Sequence, residues 1–381
     1  MRCKKSILAA AVTAVIGISI AGQANAVIYG SSRLLQQNLD IVITDDTAGA
    51  AAISSFNFNL TNTGALSGQP SAIGDSSCSG SLSTTPISGN CSDNSFTGSG
   101  ANTVLGGATD IANAAGGADA GPNVASVPAA ARGEDNYTFL GPQNAGEYGT
   151  GDSVIDDAAL VGDAFTATRQ IAEAQLQSST SAAGSSLIES TSGFIMDFNV
   201  ATSGTLTYDF QADPDLVALI NDLDPLLLSA TALAAMTYVV EITQAAEDGN
   251  GFVRWASNGS LNAADCIFAG LEAGGSCTET ADEENLNNSV SAAFPPNQNQ
   301  NDYSTSQALH NNNLLGIFGA ADQGWSNFGF SVTGLTEGDW SLSLSAKTST
   351  NLTRSAGLAV PEPTVMSLMG LGLVGMGFIS R

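Results

Sequence analysis

Trp340, Leu342, Leu344 and Ala346 alternate with Ser341, Ser343 and Ser345. A strand sends successive side chains to opposite faces, whereas a helix would scatter such a pattern around its circumference. The stretch therefore reads as a strand with one buried face and one serine-lined face. The same period runs through Leu39, Ile41 and Ile43, and through Phe56, Phe58 and Leu60. It returns in Phe194, Met196, Phe198 and Val200, in Leu206, Tyr208 and Phe210, and in Phe328, Phe330 and Val332. Residues 237–243 (TYVVEIT) add a run rich in β-branched side chains. Two pairs of runs read as β-hairpins. Ser203-Gly204 would turn the run ending at Val200 into the run from Leu206, and Glu337-Gly338-Asp339 would turn the run from Phe328 into the run from Trp340.

Helical signals are fewer. Asp213 is a capping residue ahead of a proline, which predicts a short helix from Pro214 to Leu223, ended by Pro225. The span 152–176 suits helix or strand, with strand favoured in its second half. Short strands between Gly- and Asn-rich turns predict an all-β fold, a β-sandwich of jelly-roll-like kind with long low-complexity loops. Two insertions read as irregular. Residues 62–135 are dominated by Gly, Ala, Ser, Asn and Asp, and residues 282–313 run from Glu283-Glu284 into Asn297-Gln298-Asn299-Gln300-Asn301. No period of roughly 20–50 residues recurs, which removes the solenoid and propeller classes.

The first 26 residues have the order of a secretory signal peptide: Arg2, Lys4 and Lys5, an apolar run from Ile7 to Gly22, then Ala24-Asn25-Ala26 as a small-x-small site for signal peptidase. Cleavage after Ala26 removes three of the ten basic residues and leaves seven against 36 acidic ones, a net charge of about −29. Such a chain repels phosphates, so nucleic acid is excluded as a partner. With 43% hydrophobic residues it still has the means to bury a core. Four cysteines remain: Cys78, Cys91, Cys266 and Cys277. An even count in an exported chain predicts disulfides. Three connectivities are open, and the short-loop pairing Cys78–Cys91 with Cys266–Cys277 is preferred. With a single histidine and no C-x-x-C pair, zinc has no ligand set.

At the other end stands Val360-Pro361-Glu362-Pro363, a stiff triplet that cannot continue a helix. Residues 364–380 carry no charge, and Arg381 follows. As a helix those 17 residues reach roughly 25 Å, the lower limit for crossing a bilayer. This order resembles the PEP-CTERM sorting signal of exopolysaccharide-producing Gram-negative bacteria, in which a cluster of basic residues usually stands where this chain has Arg381 alone. The resemblance covers residues 359–381 only. It implies recognition of Pro361-Glu362-Pro363 by an exosortase, transient anchoring in the inner membrane, and transfer to the cell surface or extracellular matrix. The chain thus divides into a signal peptide (1–26), an exported body (27–358) and a sorting tail (359–381).

The body shows no catalytic constellation. Gly74-Asp75-Ser76 and Gly151-Asp152-Ser153 spell a nucleophile motif, but a serine needs a histidine as base. The one histidine, His310, has no aspartate three residues before it. Acidic clusters at Asp156-Asp157, Asp222-x-Asp224 and Asp282-Glu283-Glu284 read first as a charged, solubilising surface, with paired-carboxylate glycosidase chemistry as the sharper alternative. Calcium, which takes hard oxygen ligands, is the one candidate ion, although no Asp-x-Asp-x-Asp-Gly loop fixes its residues. Residues 247–251 read as a turn. Trp255, Trp325 and Trp340 are the candidates for stacking on sugars, with Trp340 assigned to its strand's apolar face. The function expected is a non-enzymatic surface or exopolysaccharide-matrix protein. A carbohydrate-binding module using loop carboxylates, calcium and an exposed aromatic, and a polysaccharide-active hydrolase, are the alternatives.

Overall fold

The computed structural model describes residues 27–46, 49–50, 52–66, 72–81, 88–97, 103–105, 117–119, 123–125, 137, 139, 141, 147–156, 166–177, 183–221, 227–261, 265–294, 304–308 and 325–356. The expected signal peptide with Ala24 and Ala26, His310, and the expected sorting tail with Val360, Pro361, Glu362, Pro363 and Arg381 lie outside these residues.

Among the described residues the protein is all-β, with no helix. The chain begins with β1 (Val27–Asp45), β2 (Gly49–Ala50), β3 (Ala52–Leu66), β4 (Ala72–Ser81) and β5 (Ser88–Thr97). Short strands follow: β6 (Thr103–Leu105), β7 (Gly117–Asp119) and β8 (Asn123–Ala125). Next come β9 (Tyr148–Asp156), β10 (Thr166–Gln177), the 39-residue β11 (Ala183–Asn221) and β12 (Leu227–Gln244). The remainder are β13 (Phe252–Ala256), β14 (Cys266–Ala269), β15 (Ser276–Asp282), β16 (Ser289–Phe294), β17 (Ser304–Ala308) and the 31-residue β18 (Ser326–Ala356). Sixteen of these strands join one antiparallel sheet whose main path is β14-β13-β12-β18-β11-β1-β10-β9-β7, while β6 and β8 pair with each other.

The spine is the ladder between β11 and β18, which runs from Ala183 opposite Ser355 to Ala212 opposite Ser326. Both expected hairpins are corrected here. The runs around Phe194 and Leu206 are successive parts of β11, and those around Phe328 and Trp340 are successive parts of β18. Each run pairs with the other long strand, so the polar interruptions are a shared bend rather than turns. Val200 stands opposite Gly338 and Ser203 opposite Thr336, with the register shifting between them. A bulge bends a strand and frees backbone N–H groups. The Asp45 carboxylate takes two of them, Ala201 N at 2.7 Å and Thr202 N at 3.0 Å. The bend is required by size. At about 3.3 Å per residue β11 would stretch roughly 130 Å, against a radius of gyration near 20 Å for a body of this length.

Beyond the bend the sheet returns over itself. Ser32 of β1 donates to the Ala235 carbonyl of β12 at 2.9 Å, although these strands share no ladder. Gly30 of β1 lies against Leu352 of β18, and Gly151 of β9 against Ile188 of β11. The core fills the space between, from Ile28, Leu34 and Leu176 to Phe194, Met236 and Leu344. Its centre is aromatic: Phe210 stacks on Tyr238 and Phe328, with ring centroids 4.8 and 5.1 Å apart, and Trp255 stacks on Phe330 at 5.3 Å. A smaller cluster of Tyr29, Tyr148, Val217 and Leu219 occupies the opposite face of β1 and β11. Residues 212–220 are consequently buried at every position.

The expected helix from Pro214 is also overturned, because those residues pair with β1, Pro214 opposite Leu34. Proline cannot donate to a ladder, yet it costs little here. On the other side of β11, pairing with β18 stops at Ala212 and pairing with β17 resumes at Leu216. The insertions 62–135 and 282–313 were expected to be irregular, and both contain strands. The first holds β4 and β5, the second β16 and β17. β4, β5 and β17 carry mostly small polar residues, and in β16 the alternation of Val290, Ala292 and Phe294 is too short to announce a strand. The second half of 152–176 is strand as expected, in β10, and a turn is present at 245–249, where Asp248 N donates to Ala245 O at 3.0 Å.

Candidate functional site

Cys266 opens β14 and Cys277 lies in β15, and the two form a disulfide with Cα atoms 5.7 Å apart. The bridge brings together acidic residues that flank it. Asp265 precedes Cys266 and Glu279 follows Cys277 by two positions. With Asp282 they place three carboxylate oxygens within 4.8 Å of one another. Asp282, expected on a charged surface, is buried and already used. It accepts from the Ser257 hydroxyl at 2.6 Å and from the consecutive backbone amides of Asn258, Gly259 and Ser260 at 2.9, 2.9 and 3.2 Å. Glu279 accepts from the Trp255 indole at 2.7 Å. Burial, then the Asp282 charge, push the Asp265 carboxyl above its ordinary range, against a hydrogen bond from Asn258. Calcium takes about six to eight oxygens. The cluster's chemistry is chiefly internal: it ties the 257–260 turn to β15.

A cleft of about 690 Å³ opens at the shared bend, lined by Asn199, Glu247, Asp248, Glu337 and Asp339 among others. Two of its carboxylates are committed: Asp248 accepts from Asp339 N at 2.7 Å, and Asp339 accepts from the Asn199 amide at 2.7 Å. Its lining offers neither a histidine nor a cysteine for nucleophilic chemistry.

Two polar groups that the sequence did not single out, the buried Glu173 and the part-buried Arg33, lie against Tyr137, Phe139 and Gly141. Glu173 accepts from Tyr29 Oη at 2.6 Å, from Gly141 N at 2.8 Å and from Tyr148 Oη at 3.2 Å. Arg33 pairs with Asp215 and with Asp213 at 3.1 Å, and its guanidinium sits 5.0 Å from the Phe139 ring centroid. Asp213, expected as a helix cap, is thus an ion-pair partner. Charged groups at this depth persist because each is paired and hydrogen-bonded. The signal available beforehand was Arg33 as the single basic residue of β1.

The outward face of β1, β11, β18 and β15 is different in character. Register aligns Thr44, Thr205, Thr333 and Ser276 in one row, and Val42, Thr207, Ser331 and Thr278 in the next. Asp40 and Asp209 follow with Gly329, where Thr280 donates to Asp209 at 3.0 Å. A row of amides comes last: Gln37 and Asn38 donate to Gln211 at 3.2 and 2.8 Å, and Gln211 donates to Asn327 at 3.2 Å. Burial on leaving water, and after it the charge of Asp40, raise the Asp209 pKa, opposed by Thr280.

Of the three tryptophans, Trp255 and Trp340 are buried in the core and Trp325 is 37% exposed, just ahead of Asn327. This corrects the expectation that Trp255 was available to a sugar. Ser153 is buried within β9 and donates to Asn62 at 3.2 Å, so it stands on no nucleophile turn. Cys78 of β4 lies directly opposite Cys91 of β5. Asp157, Asp222 and Asp224 lie outside the described residues. No protein-family model matches the chain, and neither does any curated protein or solved structure.

Proposed function

We propose that the chain is a non-enzymatic exported protein of the cell surface or exopolysaccharide matrix, sorted by an exosortase. The tail carries this reading: Val360-Pro361-Glu362-Pro363, an uncharged run and Arg381, in that order. The signal-peptide pattern of residues 1–26 supports it, and so does the Cys266–Cys277 bridge, which suits an oxidising compartment. In the same reading the returning sheet makes the body a β-sandwich, and residues 364–380 form a membrane-spanning helix until processing. Signal peptidase, exosortase and the inner membrane are its partners in transit.

Replacing Pro361-Glu362-Pro363 by three alanines is expected to leave the protein in the inner membrane with its tail uncut. Fractionation and mass spectrometry read the outcome. Release of a shortened chain at an unchanged rate would overturn the sorting assignment.

The second reading is a carbohydrate-binding module, favoured by the exposure of Trp325 beside a sheet face rich in hydroxyl and amide groups. The two readings are compatible, since a matrix protein is held in place by what it binds.

A further inference from the structure

We propose that the outward face of β1, β11, β18 and β15 docks an extended, uncharged polysaccharide, with Trp325 stacking on a sugar ring at its margin. This rests on the carbohydrate-binding reading above and assigns its surface and ligand class.

The first support is spacing. Strands stand about 4.8 Å apart and same-face residues about 6.8 Å apart, so the aligned threonines and serines form a regular lattice of groups that donate and accept. A glycan's hydroxyls do the same, and such a lattice meets them without a buried unpaired group. Threonine is also stiff at χ1, so ordering these side chains on binding costs little.

A central carboxylate is the second. At Gly329 a Cβ would collide with the oxygens of Asp209 and Thr280, so those two side chains, joined by a 3.0 Å hydrogen bond, close over the buried glycine and put a carboxylate in the middle of the face. A carboxylate there accepts from neighbouring hydroxyls of one ring. Trp325 supplies an aromatic plane for the apolar C–H side of another.

Charge selects the class. The rows hold no lysine, arginine or histidine, and the exported chain is about 29 charges negative, so an acidic polymer is repelled. The outward side of the spine beyond the bend is a contrast. It carries the Lys347–Glu189 and Arg254–Glu241 pairs, and Leu187, Ile195 and Leu233 project from it.

Binding isotherms of the purified full-length chain on microcrystalline cellulose, chitin and cross-linked dextran, with alginate gel as the acidic comparator, test the proposal. Retention is expected on at least one uncharged polymer, unaffected by added salt, and not on alginate. Thr207→Arg and Trp325→Ala should each bind about tenfold weaker, the order expected for one stacking aromatic or one blocked row. Thr231→Arg, exposed on the contrasting face, should bind as the parent does. Melting temperatures of all three should match the parent, and if Trp325→Ala fails to fold, Thr207→Arg decides alone. Retention on none of the uncharged polymers, equal binding by Thr207→Arg, or binding that salt abolishes would overturn the proposal. The sorting test is read in cells and this one on purified protein, so either can fail without the other.

Discussion

Leu342 is fully buried between the returning halves of the sheet, and its neighbour Ser343 points outward with its hydroxyl 3.3 Å from the Glu241 carbonyl. Leu342→Ala is expected to cost about 2–5 kcal/mol. Ser343→Ala should change stability by less than about 0.5 kcal/mol. Denaturant melts with disulfides intact make the comparison, and equal effects would mean that β18 is not half-buried there. This contrast was legible in the sequence because a period of two names the buried face without any knowledge of partners. The acidic cluster was not legible. Asp265 and Glu279 become neighbours only once Cys266 is known to pair with Cys277. At Asp265 burial and the Asp282 charge raise the folded-state pKa, so the folded state holds its proton more tightly than the unfolded one. Protonation therefore favours folding, and that contribution is present below the unfolded value of about 3.9 and lost as pH rises through the folded pKa. Asp265→Asn should raise the melting temperature at pH 7, with a gain that shrinks as pH falls toward about 4. In the core, Tyr208 and Tyr238 share a hydroxyl contact of 2.7 Å, and burial pushes both phenols up. Their unfolded forms ionise first, so stability should fall as pH rises past about 10, and ultraviolet titration should show both phenolates appearing only with unfolding.

The strands themselves were more legible than their connections. Alternation at Phe194, Leu206, Phe328 and Trp340 located four real segments, but each glycine-containing break between segments suits a hairpin turn and a bulged bend equally. What distinguishes them is which strand lies opposite, and that is a long-range fact: the two breaks face each other across the spine. Pro214 misled for a related reason. Its helical signal is local, while its place in β11 is set by the ladder to β1 and by a gap in pairing on the other side. The bend makes a sharp demand on Gly338, which has φ of 132° and where a Cβ would lie 2.5 Å from that of Asp248. Gly274 also has positive φ, 92°, but nothing stands within 4 Å. Gly274→Ala should therefore cost only the backbone penalty of about 1 kcal/mol. Gly338→Ala should cost clearly more, since Asp248 must also give up its bond to Asp339 N. Chemical melts of the two variants side by side check the ranking.

At the scale of the whole molecule, one disulfide and one spine hold the described body together. The register opposes Cys78 to Cys91 as the short-loop pairing requires, and Cys266–Cys277 is formed. Closing a loop of this size is worth roughly 3 kcal/mol. Protein purified without reductant should show no free thiol, and peptide maps should join Cys78 to Cys91 and Cys266 to Cys277; long-range bridges would refute the local scheme. The spine has a consequence for the order in which the fold can assemble. β18 lies between β12 and β11 in the sheet, yet it is the last made of the described strands, and Ala183 waits for Ser355. A growing chain that has completed residue 325 has β3 and β1 along one edge of β11 but lacks β18, so β11 along 183–212 and β12 each keep one edge open until residue 356 has been made. Such non-local pairing folds slowly and late. Until then the polypeptide stays uncommitted along its spine, the condition the proposed export would need, and commitment to the native state comes only when β18 arrives.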